Sequence, residues 1–580
     1  MKTAHFIKQV FTVAVGFFVS LLFLLLITIW GVSQLASNDS SKHEVRVNSI
    51  LQLNMQGRAV ELVHESLLGS NKGIIDLNLI KKAIHKAKDD SRIKAIYLEL
   101  SYFDAGWAAL EEIREALLSF KKQGKTIVAY GDSYSQKSYY LASVADEIVL
   151  NPSGLLEFQG LSVTIDFYTK LFENICIKPI IFRIGAYKSA IEPLCLNKMS
   201  EESRKQTGDY LSLLHEHFLK NIGLERNIKV SKLKEFAHNL SVVLPTDALY
   251  NKMITKIAYE EESKKSLVQQ FNESDATVNK YFVSYKHYTH LNQQPDVANN
   301  IAVVVAEGQI INGVSSAGYV GASDFVRTIE RVKKDPDIKA VVLRIDSPGG
   351  SVLASDIMCQ AIEELKEVKP VVASMSNVVA SGGYYIAAPC HYIVAQPTTI
   401  TGSIGIFGIL FDTTKLMQKI GIECDVVKTS PSADFLNPRT TCSQEESKFF
   451  YKILQSHYET FLQKVSKGRG LSMNKVKSLA SGKVYAGTVA KQNGLVDELG
   501  GMEKAIEKAA SLANLTGTYR IGCFPYPKTK LEQLLEYTSS NIKMELLSSL
   551  AEEHQILNHL QAIRKRQGWQ AILPYTIDIK

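Results

Sequence analysis

The sequence contains few cysteines, and none of them is paired at the short spacing that structural sites use. Seven cysteines occur in 580 residues, their number is odd, and no C-x-x-C pair is present. Disulfide scaffolds and structural zinc sites both depend on paired or clustered cysteines. We therefore predict no disulfide framework and no metal site, and we expect no cofactor.

A strong excess of one charge is also absent. Lys and Arg number 66 against 59 Asp and Glu, which leaves a net charge of +7. This mild bias gives no reason to expect nucleic acid as a partner. The composition is 46% hydrophobic and 22% charged, which is ordinary for a folded chain and excludes wholesale disorder.

Long apolar runs are missing except for one near the N-terminus. Residues 10–30 carry no charge over 21 positions, and a helix of that length is about 31 Å long, enough to cross a bilayer. The apolar core of a cleaved signal peptide is shorter, about 7–15 residues, so an anchor is favoured. Lys2 and Lys8 precede the run, which places the N-terminus in the cytoplasm. We expect a single-pass protein of the bacterial inner membrane with its body in the periplasm.

The remainder of the chain is an internal repeat. Residues 93–98 (IKAIYL) match residues 338–343 (IKAVVL), and the same offset of 245 holds without a gap over residues 90–188. A register kept over such a length indicates two copies of one domain. The predicted segments are a cytoplasmic N-terminus 1–9, an anchor 10–30, a first repeat domain 45–270, a linker 271–300, a second repeat domain 301–515 and a partly helical tail 516–580.

Each copy alternates two kinds of apolar pattern. Residues 339–345 (KAVVLRI) and 370–375 (PVVASM) are short apolar runs rich in β-branched residues, typical of buried strands. Residues 355–368 (SDIMCQAIEELKEV) carry apolar residues at helical spacing. Strands alternating with helices predict an α/β fold with a mainly parallel sheet.

The two copies differ at a serine. The second copy has Ser381 followed by Gly382 and another glycine, whereas the first has Gln136 at the same column. A serine at a strand-to-helix junction can expose its hydroxyl above the sheet edge, and glutamine cannot be a nucleophile. Ser381 is therefore the candidate nucleophile, with the N–H of Gly382 as an oxyanion donor.

A second difference lies after an earlier strand. The second copy has Ser-Pro-Gly-Gly at residues 347–350, and the first copy has no glycine pair there. Glycines in such a turn allow the backbone to approach a ligand closely. The N–H of Gly349 or Gly350 is the second candidate oxyanion donor.

The candidate base lies on the other copy. Lys188 belongs to the first copy and meets Ala433 of the second, so each copy lacks what the other has. These complementary losses predict one composite site. Because a lysine acts as a base only when neutral, its pKa of about 10.4 must be lowered by burial. Ser403, at the end of the next predicted strand, is the candidate that orients the amine.

Three other residues are weaker candidates. His391 is the histidine nearest to Ser381 in the sequence, but the first copy has Asp146 at that column, so we predict that His391 is a surface residue. Lys428, a rival base within the second copy, aligns with Arg183 and is predicted to be exposed. Asp346 could be a third catalytic group, although a turn-capping carboxylate is favoured.

These motifs resemble those of the signal peptide peptidase A family in its long, two-domain form. The resemblance covers roughly residues 45–515 and rests on residues 187–190 (YKSA), 346–350 (DSPGG), 380–385 (ASGGYY) and 401–405 (TGSIG). It implies tandem Clp protease/crotonase-like domains.

For function, the resemblance implies a membrane-anchored serine endopeptidase. Ser381 would be the nucleophile, Lys188 the base and Ser403 the lysine-orienting hydroxyl. The expected substrates are remnant signal peptides and other apolar peptides. The expected assembly is a homotetramer with sites shared between neighbouring chains. Two alternatives from other classes stay open: a crotonase-like acyl-CoA enzyme and a non-catalytic membrane scaffold.

Overall fold

The computed structural model describes residues 45–61, 63, 73–271, 278–290, 300–517, 519–524 and 568–572, with six positions between 16 and 27. Residues 1–9 and most of the predicted anchor 10–30 lie outside the described residues. So do most of the predicted tail 516–580 and part of the predicted linker. Within the described part, no helix is both long and apolar enough to cross a membrane.

The first half of the described chain ends at residue 290. Its strands are β1 Ser49–Asn54, β2 Gly57–Val60, β3 Ile74–Asp76, β4 Ile93–Glu99, β5 Phe103–Asp104, β6 Thr126–Gly131, β7 Glu147–Leu150, β8 Lys178–Ile184, β9 Lys256–Ile257 and β10 Phe282–Ser284. Its α-helices are α1 Leu77–Asp89, α2 Trp107–Lys121, α3 Gln136–Ala142, α4 Thr169–Asn174, α5 Glu192–Cys195, α6 Glu201–Arg226, α7 Val230–Asn239, α8 Pro245–Tyr250, α9 Glu260–Phe271 and α10 Tyr285–His290, with 3-10 turns at Ser189–Ile191 and Val278–Tyr281.

The second half begins at residue 300. Its strands are β11 Ile301–Glu307, β12 Gln309–Ile311, β13 Tyr319–Gly321, β14 Ala340–Ser347, β15 Gly349–Ser351, β16 Val371–Ala380, β17 Tyr392–Ala395, β18 Ile400–Gly402, β19 Ile406–Asp412, β20 Val484–Ala486, β21 Glu498–Leu499, β22 Ile521–Phe524 and β23 Gly568–Ile572. Its helices are α11 Ala322–Lys334, α12 Val352–Lys366, α13 Gly382–Ala387, α14 Thr414–Lys419, α15 Gln444–Arg469, α16 Met473–Leu479, α17 Gly487–Asn493 and α18 Met502–Leu512.

The duplication is visible in the order of the strands. The main sheet of the first half runs β10-β1-β4-β6-β7-β9, and that of the second contains β22-β11-β14-β16-β17-β21. Along these series every neighbouring pair is parallel. The predicted tandem α/β fold with mainly parallel sheets is confirmed. The edge strands β10 and β22 come from the segments predicted as linker and tail.

Apolar patterning explains these elements. In β11, six of seven residues are buried, as expected for a parallel strand that is covered on both faces. The covering helix α11 buries Phe325, Ile329 and Val332, which are spaced for one helical face. The apolar run predicted as a strand is therefore a buried strand of the sheet, and the apolar residues at helical spacing form the face of the helix that covers it.

A third sheet joins the two halves. Its order is β13-β12-β15-β23-β19-β8, so it includes one strand, β8, from the first half. Strands β8 and β19 pair antiparallel over seven residues, from Ile184 opposite Ile406 to Lys178 opposite Asp412. The residues that follow β8 are thereby placed beside those that precede β19.

Candidate active site

Ser381 stands between the last residue of β16 and the first residue of α13. Its backbone has φ 56° and ψ −114°, a conformation that costs a non-glycine residue on the order of 1–3 kcal/mol. The Ser381 N–H donates to the Gly402 carbonyl at 2.8 Å. Gly383 allows the turn to close, because a Cβ there would lie 2.5 Å from the Ser347 carbonyl oxygen. Such a strained turn is typical of a serine that presents its hydroxyl at a strand end.

Lys188 reaches this hydroxyl from the first half of the same chain. Its Nζ lies 2.7 Å from Ser381 Oγ, 3.0 Å from Ser403 Oγ and 3.1 Å from the Ser403 carbonyl oxygen. The Lys188 side chain is completely buried, and this burial holds its pKa well below the ordinary value of 10.5. Among the described residues, no carboxylate lies within ion-pair distance of Lys188. Its surroundings therefore favour the neutral amine.

Ser403 is held in place by its backbone. It has φ 50° and is fully buried, and its N–H donates to the Lys483 carbonyl at 2.6 Å. Both of its oxygens face Lys188 Nζ. The structure therefore brings together the three side chains that the sequence proposed separately.

Two glycines to which the sequence assigned no role in the site, Gly482 and Gly405, lie against Lys188. A Cβ on Gly482 would lie 2.6 Å from the Lys188 backbone nitrogen, and one on Gly405 would lie 3.3 Å from Lys188 Cδ. The Tyr187 N–H donates to the Ser481 carbonyl at 3.0 Å. This bond holds the residue before Lys188 against the residue before Gly482. The sequence carries no local signal for Gly482, because a single glycine in a loop looks like an ordinary turn until its neighbour in space is known.

The candidate oxyanion donors lie around the serine. Gly382 is the first residue of α13, so its N–H has no acceptor within the helix. Gly349 has φ 97°, and its N–H donates to the Ser347 hydroxyl at 3.2 Å. Gly350 is packed backbone to backbone, since a Cβ there would lie 1.9 Å from the Ile310 oxygen. Gly382 therefore offers a helix N-terminal N–H directly after Ser381, and Gly349 and Gly350 both remain candidates for the second donor.

The weaker candidates lie away from this cluster. Asp346 accepts hydrogen bonds from the Val378 N–H at 2.9 Å and the Asn377 amide at 2.6 Å, which tie β14 to β16. Burial raises its pKa to about 6. His391 is exposed. Lys428 is also exposed and pairs with Asp434 at 2.6 Å.

A buried ionic cluster joins the two halves behind the site. Arg344, on the strand that leads to residues 347–350, is completely buried and donates to Glu61 at 2.9 Å and to Glu112 at 2.7 Å. Lys81 also pairs with Glu112. Burial alone would raise the pKa of Glu112, but the charges of Arg344 and Lys81 lower it to about 2.

The first copy closes the equivalent position. The Gln136 Nε2 donates to the Gly160 carbonyl at 2.8 Å, and the Gly160 N–H donates to Gln136 Oε1 at 2.9 Å. Gly160 is the counterpart of Gly405, whose carbonyl lies 3.4 Å from Ser381 Oγ. The glutamine thus occupies with its own amide the place where the second copy has a hydroxyl.

Comparison with known proteins connects this arrangement to a family. The family described as "Peptidase family S49" matches residues 119–273 and 363–516. Protease 4 of Haemophilus influenzae is 37% identical over 74% of this chain and 72% of its own length. Protease 4 of Salmonella typhi is 34% identical over 80% and 76%. The chloroplastic serine protease SPPA of Arabidopsis thaliana is 32% identical over 89% and 78%.

Proposed function

Because the chain belongs to peptidase family S49 and is a serine protease, we propose that Ser381 is its nucleophile and Lys188 its general base. The observation that carries this proposal is the buried contact of 2.7 Å between Lys188 Nζ and Ser381 Oγ. The two residues are 193 positions apart in the sequence, yet their side chains lie within hydrogen-bond distance, as a base and its nucleophile must. The complementary losses in the two copies support the same pairing.

The hydrogen bonds around Lys188 match a neutral amine. A neutral amine has two N–H groups and one lone pair. The two N–H groups can donate to the hydroxyl and the carbonyl oxygen of Ser403, which leaves the lone pair to accept the Ser381 O–H. Ser403 thereby orients the base toward the nucleophile, and burial keeps the base unprotonated.

The proposed reaction is acyl transfer followed by hydrolysis. Ser381 Oγ attacks the scissile carbonyl while Lys188 accepts its proton, and the N–H group of Gly382, together with that of Gly349 or Gly350, stabilises the oxyanion. Lys188 then protonates the leaving amine. In the second half-reaction Lys188 deprotonates a water that cleaves the acyl-enzyme. Loss of one oxyanion donor typically costs on the order of 10²–10³ in rate.

We propose extended apolar peptides, including remnant signal peptides, as the substrates. This part rests on the resemblance to the signal peptide peptidase A family and on the uncharged run at residues 10–30, which would hold the site beside a membrane. The same reasoning proposes a single-pass location in the bacterial inner membrane with a periplasmic body, and assembly into a homotetramer.

Substitution of the dyad tests the catalytic proposal. Ser381→Ala and Lys188→Ala should each abolish cleavage of a fluorogenic apolar peptide while the far-UV circular dichroism stays unchanged. Lys428→Ala, which removes the exposed lysine of the second copy, should retain full activity. Normal turnover by the purified Lys188→Ala protein would exclude Lys188 as the base. An acyl-CoA enzyme or a scaffold would show no labelling of Ser381 by a serine-reactive acylating probe.

Mixing the two inactive proteins tests where the dyad forms. Both members belong to one chain in the structure, so Ser381→Ala and Lys188→Ala proteins should stay inactive after subunit exchange. Recovered activity would instead show that serine and lysine pair between neighbouring chains. Exchange itself is verified with differently tagged subunits.

A further inference from the structure

Helix α2 of the first half begins without a side-chain cap of its own. Its N-cap residue is Gly106, which has no side chain to accept a backbone N–H. The Oδ1 atom of Asn377, on β16 of the second half, accepts instead from the Ala109 N–H at 3.0 Å. An N-cap side chain normally makes this contact with the second or third residue of its own helix. A residue of the second copy therefore caps a helix of the first.

The repeat register shows how the two copies differ at this point. At the offset of 245, Gly106 corresponds to Ser351. Ser351 caps its own helix, α12, by accepting from the Ala354 N–H at 3.3 Å. The first copy has no room for such a side chain, because a Cβ on Gly106 would collide with the Asn377 amide. The first copy thus lacks the cap that the second has, and Asn377 supplies it.

The same amide holds the strand that leads to the candidate oxyanion turn. Asn377 Nδ2 donates to Asp346 Oδ2 at 2.6 Å, and Asp346 Oδ1 accepts from the Val378 N–H at 2.9 Å. Asp346 directly precedes Ser347, whose hydroxyl accepts the Gly349 N–H at 3.2 Å. Hydrogen bonds therefore connect the start of α2, through one side chain, to the turn that contains Gly349.

An amide suits both partners of Asn377 at once. Its oxygen accepts the helix N–H, and its NH₂ group donates to the carboxylate. In the first copy the corresponding residues are Asp132 and Ser101, and the Asp132 N–H donates to the Ser101 hydroxyl at 2.9 Å. The copy that has no candidate nucleophile thus also lacks the asparagine and the carboxylate of this connection.

Helix α2 holds the same strand at a second point. Arg344 Nη1 donates to Glu112 of α2 at 2.7 Å, and Arg344 lies two residues before Asp346 on β14. Both side chains of this ion pair are buried, so water does not compete for it. A shift of α2 would therefore displace the end of β14 through two sets of hydrogen bonds.

We propose that Asn377 is a positioning residue, which fixes the turn 347–350 against helix α2 of the first copy. This inference rests on the proposed function, since it takes the turn to supply an oxyanion donor. The first copy then serves catalysis twice, with Lys188 as the base and with α2 as the support of the turn. A displaced turn weakens binding of the transition state more than binding of the peptide, because the oxyanion forms only during the reaction.

Asn377→Leu tests the positioning role in the full-length protein. Leucine has a similar size but can neither accept from the Ala109 N–H nor donate to Asp346. We expect kcat for a fluorogenic apolar peptide to fall about 10–10²-fold and KM to change less than about twofold, since a donor is displaced without being lost. A peptide aldehyde, whose adduct with the serine places an oxygen at the oxyanion position, should bind more weakly by the same factor as kcat falls. An unchanged kcat would overturn the proposal.

The matched control is Ser443→Ala. Ser443 is exposed and caps α15 by accepting from the Glu446 N–H at 3.2 Å, so the variant loses an N-cap that has no contact with the turn. Its kcat and its affinity for the aldehyde should equal those of the wild type. An equal fall in both variants would show that loss of any helix cap lowers the activity, and would overturn the proposal.

An exchange of the two side chains provides a rescue. In the double variant Asn377→Asp with Asp346→Asn, the new carboxylate can accept from the Ala109 N–H and from the new amide, whose oxygen can accept from the Val378 N–H. All three hydrogen bonds are thereby kept, and kcat should return toward the wild-type value. A folded exchange variant with the same loss as Asn377→Leu would contradict the positioning role.

Hydrogen exchange provides a readout that needs no activity. In a Ser381→Ala background, Asn377→Leu should increase amide exchange both in residues 107–110 and in residues 346–352. Faster exchange in residues 107–110 alone would show that Asn377 only caps α2, and would overturn the proposal. Faster exchange in both segments of a protein whose wild type cleaves no peptide would instead overturn the proposed function and leave the connection between α2 and the turn intact.

Discussion

Ile184 of the first copy pairs with Ile406 of the second, at one end of a seven-residue antiparallel ladder. Lys188 follows Ile184 by four residues, and Ser403 precedes Ile406 by three. The pairing therefore sets the lysine of one copy beside the serines of the other. Two copies that are each incomplete form one site because a single strand of the first, β8, is added to the edge of a sheet of the second.

Gly482→Ala should impair catalysis by crowding Lys188. The added Cβ would lie 2.6 Å from the Lys188 nitrogen and 2.8 Å from its Cα, so the backbone that carries the base must move. A displacement of about 1 Å can cost on the order of 10² in rate, and we expect a fall of that size in kcat/KM.

The control for this prediction is Gly421→Ala. Gly421 has the same φ of 79° as Gly482, but an added Cβ there meets nothing within 4 Å. The Gly421→Ala variant has the same backbone strain as Gly482→Ala but no crowding, so its activity should match that of the wild type. Equal activity of the two variants would contradict the packing role given to Gly482.

The activity should depend on pH through Lys188. Burial holds the pKa of its amine well below 10.5, so the neutral base forms at a lower pH than for an exposed lysine. A plot of kcat/KM against pH should rise through this lowered pKa and level off above it. A rise that occurs only near the ordinary lysine pKa would contradict the buried, neutral base.

The same pKa predicts a pH-dependent cost in stability. Between the folded and the unfolded pKa of Lys188, the unfolded chain binds a proton that the folded chain does not, so the free energy of unfolding increases with pH. Lys188→Met removes this cost. It should unfold at higher urea concentration than the wild type at pH 7, and the difference should shrink as the pH approaches 10.5. If the difference in urea midpoint between Lys188→Met and the wild type stayed constant from pH 7 to pH 10.5, the lowered pKa of Lys188 would not be the cause of that difference.

Ser403→Ala should reduce kcat more than it affects KM. The substitution removes the hydroxyl 3.0 Å from Lys188 Nζ and leaves the carbonyl contact in place, so the base loses orientation only in part. We expect a fall of about 10–10² in kcat, within the range of general-base catalysis. Ser189→Ala is the control, because Ser189 is a buried neighbour of Lys188 whose hydroxyl has no partner among the described residues. Similar losses in both variants would point to a general packing effect.

Arg344→Met should destabilise the protein strongly. It would leave the carboxylates of Glu61 and Glu112 buried without their main partner, and breaking a buried ion pair costs about 3–5 kcal/mol. Urea unfolding measures the loss. Adding Glu61→Gln and Glu112→Gln should recover much of it, and no recovery would mean that the side-chain volume matters more than the charge.

Several features of the site were predictable because they have a local pattern. The glycine pairs after Ser347 and Ser381 stand out when the two copies are aligned, and so does Lys188 opposite Ala433. Gly482 was missed because a single glycine in a loop resembles an ordinary turn until its neighbour in space is known. The edge strands β10 and β22 were assigned to linker and tail because such short segments become strands only when a sheet edge is available.

The sequence by itself determined that two α/β copies form and that each lacks half of a site. Strand and helix periods are local, and an internal repeat can be aligned without a structure. Only the tertiary structure decided that Lys188 meets Ser381 within one chain, that Gly482 packs behind the lysine, and that residues 568–572 pair with both β15 and β19. These relationships depend on pairings between segments far apart in sequence, and the hydrogen bonds of a strand pair are made by the backbone, which is the same for every residue type.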